Sequence, residues 1–303
     1  MTKNYDSNIQ KIVINIRKPQ INKSMKIGIV GLGLIGGSLG LKLQSLKHTI
    51  YGVTNNEINE KKAKERNLAN VISCDLEILK ECSLIILALP IKDLIKPSNE
   101  LIQAIPRAAI VPDVGSIKKP IINTWEKIHP LFIGSHPMAG TEQKGVDSGF
   151  EDLLKNAKWI ITPTLNSNLN AVNTLSKLIT SMECEICKAS PTEHDEAVSL
   201  ISHLPIFLAS ALIETAHKEK DNSLLKLTQK LAASGFTDTT RVGGGNPQLG
   251  LDLAINNQTN ILNAIKEFKN KISELESIIK DKNWELLSKK LSQAKKVRAN
   301  FIN

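Results

Sequence analysis

The sequence predicts an α/β protein in which a doubly wound parallel sheet is followed by an all-helical domain. Three observations predict it. Short apolar runs alternate with helical patterns from Met25 to about residue 188. A glycine-rich turn joins the first of those runs to the helix after it. Beyond Ser190 the strand pattern stops and only helical periods remain.

The elements follow in order. Lys26 to Ser38 reads K-I-G-I-V-G-L-G-L-I-G-G-S, in which Ile27 to Val30 is a buried strand and Ser38 to Leu46 a helix. Thr49 to Val53 is a second strand and Glu57 to Asn67 a polar helix. The continuous apolar run Leu84 to Leu89, ended by Pro90, marks a central parallel strand. A helix is expected over Asp93 to Ile105, a strand over Ala109 to Val114, a helix over Ile117 to Ile128 and a strand over Phe132 to Ser135. Trp159 to Thr162 and Cys184 to Cys187, flanking a helix near Leu169 to Ser181, complete the sheet. Ser190-Pro191-Thr192-Glu193 has the form of a capping box with proline in the first helical position, opening a helix to about Lys218. Asn246-Pro247 starts another helix after the Gly243-Gly244-Gly245 break. Ile261, Ile265, Phe268, Ile272, Leu275 and Ile279 then recur in steps of three and four, and Trp284, Leu287 and Leu291 begin a further apolar stripe. Such a seam serves either an intramolecular core or a dimer interface, and dimerisation is the favoured expectation. The expected organisation is a flexible extension over residues 1–24 (or a natural start at Met25), a dinucleotide-binding domain over 25–188 and a helical substrate and dimerisation domain over 189–303.

Gly31, Gly33 and Gly36 form G-x-G-x-x-G between a strand and a helix, with a second strand to follow. In that setting the motif is a Rossmann-type fingerprint. The first glycine permits the tight turn, the second lets the backbone approach a pyrophosphate, and the third packs helix on strand. The free N–H groups of the helix start face the phosphates. The candidate cofactor contacts are Gly31, Gly33, Leu34, Ile35 and Gly36, with Thr54 and Asn55 after the second strand and Leu89 and Pro90 after the next. NAD-binding versions of this fold usually end the second strand in Asp or Glu. Here that place is Thr54, followed by Asn55 and Asn56, groups that can donate to a 2′-phosphate. NADP is therefore expected, although no arginine clamps the phosphate and Glu57 is close by.

The composition narrows the class. The 303 residues carry a net charge of +9, but the lysines are scattered among acidic residues and aromatics are only 4 %, so a nucleic-acid partner is not expected. No uninterrupted apolar run approaches the ~20 residues of a membrane helix. The N-terminus lacks the pattern of a signal peptide, and a cytoplasmic location is expected. Cys184 and Cys187 form a C-x-x-C without a second pair at zinc spacing, and in a strand they would point to opposite faces. No metal is expected.

Three segments carry the chemistry: Asp113-Val114-Gly115-Ser116, then His136-Pro137-Met138-Ala139-Gly140-Thr141-Glu142, then Thr239-Thr240-Arg241 ahead of the glycine run. With His194-Asp195 and Ser202-His203-Leu204-Pro205 between them, the chain resembles the prephenate/arogenate dehydrogenase family of tyrosine biosynthesis over Met25 to Asn257. The glycine run after Arg241 is most similar to that of the cyanobacterial arogenate dehydrogenases. The resemblance implies oxidative decarboxylation of a cyclohexadienol, with a hydride leaving ring C4 and CO₂ leaving C1. It makes His136 the base for the C4 hydroxyl and Ser116 the group that orients it, though Ser116 could also cap the following helix. Arg241 would pair with a substrate carboxylate, and Thr141 is a weaker substrate contact. His194 is expected to be a neutral, structural histidine bonded across the domain boundary, and His203 a packing or interface residue.

Two departures from the family pattern bear on the substrate. Several prephenate-using members carry a second histidine right after H-L-P, where this chain has Ile206, and the family's usual tryptophan downstream of the arginine is replaced by Gly250. Arogenate with NADP is the expected pair. The alternatives are a prephenate dehydrogenase forming 4-hydroxyphenylpyruvate, a different two-domain hydroxyacid dehydrogenase, and a non-catalytic NADP-binding sensor. The glycine-lysine-asparagine signature of the hydroxyacid enzymes is missing. With no βαββαβ segment before Asn303, control through a separate regulatory domain is not expected.

Overall fold

The computed structural model describes residues 24–141, 143–218 and 221–302, so the proposed extension lies, but for Ser24, outside the described residues. The chain divides into two units, one reaching to Asp195 and taking in Gly245–Asp252, the other holding Glu196–Gly244 and the residues from Leu253 onward.

The first unit contains strands β1 (Lys26–Val30), β2 (Thr49–Val53), β3 (Val71–Ser73) and β4 (Leu84–Leu87) in the parallel order β3-β2-β1-β4. A second set, β5 (Val111–Pro112), β6 (Phe132–Pro137), β7 (Lys158–Thr162) and β8 (Glu185–Lys188), continues in the order β5-β6-β7-β8. Parallel bridges Leu84–Ile110 and Leu87–Asp113 join the two sets. The order 3-2-1-4-5-6 is that of a Rossmann sheet, and its direction of winding reverses between β1 and β4. The sheet departs from all-parallel at one place, because β7 runs antiparallel to β6.

Helices α1 (Leu34–Ser45), α2 (Glu57–Glu65), α3 (Ile91–Ile95), α4 (Asn99–Ala104), α5 (Lys119–Ile128) and α6 (Leu169–Ser181) connect the strands. The helix expected over Asp93 to Ile105 is two helices. Pro97 has no N–H to continue the ladder, and the Ser98 hydroxyl accepts from the Leu101 N–H to begin a new helix. The helix α1 begins four residues earlier than expected, inside the glycine motif, and Leu39 and Leu43 bury its inner face. The core is a layer of Ile27, Ile29, Leu39, Leu43, Ile50, Leu84 and Ile86 continuous with Ile133, Trp159, Ile161, Leu175 and Leu178.

The capping box at Ser190 is present: the Ser190 N–H donates to Glu193 Oε2 at 2.8 Å, and the Glu193 N–H donates to Ser190 Oγ at 3.2 Å. It opens α7 (Pro191–Val198), which passes through a π turn at Ser199–His203 into α8 (Leu204–His217). The stretch Pro191–His217 is long and apolar enough, by length and composition, to cross a membrane. A search for uninterrupted apolar letters misses it, because His203 and hydroxyl residues break the run.

The helices that follow are α9 (Asn222–Leu231), α10 (Ser234–Thr240), α11 (Pro247–Asn256), α12 (Gln258–Lys280) and α13 (Trp284–Ile302). In the second unit, α12 and α13 pack as a hairpin closed by an ion pair between Lys290 and Glu274.

Candidate active site

The glycine motif is built as its residue types require. Gly31 has φ +95°, and a Cβ there would meet Ala88 O at 2.4 Å. At Gly36 a Cβ would meet Gly31 O at 1.8 Å, so only glycine lets α1 start this close to β1. Gly33 differs: nothing lies within 4 Å of a Cβ built on it, and no side chain caps the helix start. The geometry fits a dinucleotide, with two glycines consumed by packing and the third presenting an open face at a helix N-terminus. The same turn adjoins the end of β4, where a Gly31 Cβ would lie 3.5 Å from Leu89 Cδ2. Leu34, Ile35 and Leu89 are half-buried and Pro90 is exposed. Thr54 is buried at the end of β2, with its hydroxyl 3.4 Å from Asn56 O and 3.5 Å from Cys74 Sγ. Asn55 is exposed, and its Oδ1 accepts from Asn59 Nδ2 at 2.7 Å.

His136 occupies the penultimate position of β6, nearly buried, with its Nδ1 2.9 Å from His194 Nε2. His194 Nδ1 lies 2.8 Å from Asp195 Oδ1. Asp195 in turn accepts from the backbone N–H groups of Lys118 at 2.6 Å and Lys119 at 2.8 Å. The hydrogen bond expected of His194 is thus present and crosses the expected boundary at residues 188 and 189, but its partner is the proposed base, and both residues fall in the first compact unit.

Beneath His136 lies a second buried network. Asp113 accepts from Gly115 N at 2.9 Å and from Ser135 N at 3.0 Å, and its own carbonyl takes the Ser135 hydroxyl at 2.6 Å. Lys118, fully buried, pairs with the Asp113 carboxylate and donates to Ser135 O at 2.6 Å. Burial pushes the Lys118 ammonium below its ordinary range, while the Asp113 charge acts against that shift. The pair ties the loop carrying Ser116 to the strand carrying His136. Ser116 is half-buried and does not cap α5; the Asp195 carboxylate serves that helix start instead. Sequence reasoning missed Lys118, because a lysine five residues after an aspartate fits no helical pairing and reads as surface charge.

Thr141 is exposed in the loop after β6, where its hydroxyl accepts from Gln143 N at 3.2 Å. Arg241 opens the short turn Arg241–Gly244 in the second unit, and Gly243 makes that turn possible, because a Cβ there would lie 2.7 Å from Ser210 N on α8. His203 is buried in the π turn, 3.2 Å from Asn257 Nδ2, in keeping with a packing role. Cys184 is buried and Cys187 exposed, so the two thiols of the C-x-x-C do face apart. Among the described residues no cluster of His, Cys, Asp and Glu could hold a metal.

A Rossmann sheet with an open glycine at its switch point and an imidazole at a nearby strand end defines a dinucleotide-dependent oxidoreductase. The chain belongs to the prephenate/arogenate dehydrogenase family. Residues 38–188 match the prephenate dehydrogenase nucleotide-binding domain, and residues 190–293 match the prephenate dehydrogenase dimerization domain. Prephenate dehydrogenase of Bacillus subtilis is 30 % identical over 278 residues, covering 89 % of this chain and 74 % of that protein. Among solved structures, Synechocystis arogenate dehydrogenase is 38 % identical with a TM-score of 0.75, covering 92 % of this chain and 100 % of that one. Prephenate dehydrogenase from A. aeolicus in complex with hydroxyphenyl propionate and NAD+ is 26 % identical with a TM-score of 0.85, covering 92 % and 99 %.

Proposed function

We propose that the protein converts arogenate to tyrosine and CO₂, passing a hydride to NADP+, as a cytoplasmic homodimer. When bound, the dinucleotide supplies the oxidised nicotinamide that receives the hydride. Gly31, Gly33 and Gly36, with Leu34 and Ile35, hold its pyrophosphate at the start of α1, and Leu89 and Pro90 border it at the end of β4. His136 takes the proton of the ring hydroxyl, and Ser116 orients that hydroxyl. Arg241 pairs with a substrate carboxylate, with Thr141 as a further contact. The observation that carries the reading is His136, held at the end of a sheet strand by a chain of buried hydrogen bonds.

The choice of arogenate rests on Ile206, a side chain that cannot pair with the pyruvyl group of prephenate, and on the likeness to the Synechocystis arogenate dehydrogenase. The choice of NADP rests on the neutral Thr54 where a carboxylate would repel a 2′-phosphate. Prephenate with NAD+ is the second reading, favoured by the Bacillus subtilis relative and by the NAD+ of the A. aeolicus complex. A reducing compartment is supported by four free cysteines. The dimer is supported by the dimerization-domain match and by Ile272, Ile279 and Leu291, which a single chain leaves about half-exposed.

Initial rates with arogenate or prephenate, each with NADP+ or NAD+, test the assignment. Activity confined to arogenate with NADP+ is expected. Turnover of prephenate alone would overturn the substrate, and a silent enzyme in all four combinations would overturn the function. His136→Asn should lower kcat at least ~100-fold with little change in dinucleotide affinity.

A further inference from the structure

We propose that His194 and Asp195 are positioning residues that hold His136 in the one neutral tautomer able to act as a base. The inference deepens the catalytic role given to His136 and rests on that reading. An ionised carboxylate only accepts hydrogen bonds. Asp195 Oδ1 lies 2.8 Å from His194 Nδ1, so that nitrogen carries the proton. In a neutral imidazole the other nitrogen then carries none, and His194 Nε2 accepts. The group 2.9 Å away is His136 Nδ1, which must therefore donate. A neutral His136 protonated on Nδ1 has its basic lone pair on Nε2. The direction of every bond in the chain follows from the acid at its end.

The acid itself is fixed. Asp195 is buried and its two oxygens also accept from Lys118 N and Lys119 N, at 2.6 and 2.8 Å. Rotating it would leave an N–H at the start of α5 unsatisfied. A doubly protonated His194 would donate from Nε2, forcing His136 to carry its own hydrogen on Nε2 and removing the base.

In the reaction the C4 hydroxyl proton passes to His136 Nε2 as the C4–H pair leaves as hydride, and the C4–O bond becomes a carbonyl. The C1–carboxylate bond then breaks, its electrons flow through the ring to that oxygen, and the oxygen recovers a proton from His136. Between the two transfers His136 is an imidazolium whose Nδ1–H points at His194 Nε2, backed by the Asp195 charge. The three residues thus serve both the removal and the return of one proton. Such an arrangement gives a recognisable penalty when broken, because a base in the wrong tautomer is inert although correctly placed.

The test reads tautomer and turnover separately. Long-range ¹H–¹⁵N spectra of the full-length protein, assigned with His136→Asn and His194→Asn, report which ring nitrogen carries hydrogen. His136 is expected to show a protonated Nδ1 and an unprotonated Nε2 at neutral pH. In His194→Asn, kcat should fall at least ~10-fold, with the KM for substrate and the affinity for NADP+ within about twofold. Asp195→Asn should move the His136 signals toward the other tautomer. A His136 protonated on Nε2 in the unaltered protein, or an unchanged kcat in His194→Asn, would overturn the proposal. The spectra need no substrate, so they decide it even if neither arogenate nor prephenate is turned over.

Discussion

Asp195 caps α5, reaching across 77 positions of sequence to accept the N–H of its N-cap residue, Lys118, at 2.6 Å and that of its first residue, Lys119, at 2.8 Å. No local side chain caps this helix start. The same carboxylate lies 2.8 Å from His194 Nδ1, so one buried acid joins a helix cap to the proposed positioning of His136. Asp195→Ala strands the buried N–H of Lys118 and the part-buried N–H of Lys119 and is expected to lower stability by about 1–3 kcal/mol, seen as a reduced urea midpoint at unchanged m. An unchanged midpoint would mean that water replaces the cap.

Lys118 and Asp113 have no exposed side-chain surface at all. Removing one member of such a pair leaves an uncompensated charge, which typically costs about 3–5 kcal/mol. Lys118→Met should therefore unfold at much lower temperature than the parent. Because Asp113 also holds Gly115 N and Ser135 N, the loss should lower kcat in whatever protein remains folded. Thermal scans with and without dinucleotide check the first effect, and initial rates well below the melting range check the second.

Much of this was legible in the sequence because the signals are local. Gly36 is demanded by a contact with Gly31 O five residues away and Gly31 by its own positive φ, while the Ser190–Glu193 capping box closes within four residues. His136 stands out through its position at a strand end. The partners of His136 were not legible. They depend on β7 returning antiparallel and β8 parallel, which brings α7 to the end of β6 over a separation of 58 residues. No periodicity carries that information, and the adjacent letters of His194 and Asp195 reveal nothing about what either faces. The strand β3 was missed for a simpler reason, since three residues are too few to show alternation.

Glycines 33 and 36 make opposite predictions although they share a motif. A Cβ at Gly36 would sit 1.8 Å from Gly31 O, so Gly36→Ala must displace α1 and should lower both stability and dinucleotide affinity. A Cβ at Gly33 meets no protein atom within 4 Å. Gly33→Ala should leave the melting temperature within a degree or two, by an order-of-magnitude estimate for a surface change, yet weaken dinucleotide binding strongly. Equal binding by Gly33→Ala and the parent would show that the pyrophosphate does not lie there.

The cysteines divide by environment. Burial pushes the Cys82 and Cys184 thiols up to about 11, whereas Cys74 and Cys187 are exposed. An alkylating reagent near pH 8 should modify Cys187 first and spare Cys82 and Cys184 until the protein unfolds. Cys74 should react slowly: the Thr54 hydroxyl draws its thiol down, but burial and the nearby Glu60 outweigh that and raise it. Its Sγ lies 3.5 Å from the hydroxyl of Thr54, the residue proposed to meet the adenosine ribose. Bound NADP+ should slow Cys74 further while leaving Cys187 unchanged, and peptide mapping by mass spectrometry reads both.

The apolar seam of α12 was expected to serve either a core or a dimer, and it is graded between the two. Ile261 is buried at its start, whereas Ile272 and Ile279 are 48 % and 51 % exposed, and on α13 Trp284 and Leu291 are each 58 % exposed. Ile278, one position off the seam, is the residue that the hairpin buries at that end. The far end of the hairpin therefore presents an apolar face that its own unit does not cover. Exposed apolar area is unfavourable by roughly 25 cal/mol per Å², so a face of this kind gains by meeting its like. The Ile272→Glu/Ile279→Glu double variant should convert a dimer into a monomer in sedimentation velocity. Dinucleotide binding should survive, because the glycine motif belongs to the other unit. A variant that stays dimeric would place the interface on a different face, with the exposed Leu224, Leu227 and Leu231 of α9 the next to be changed.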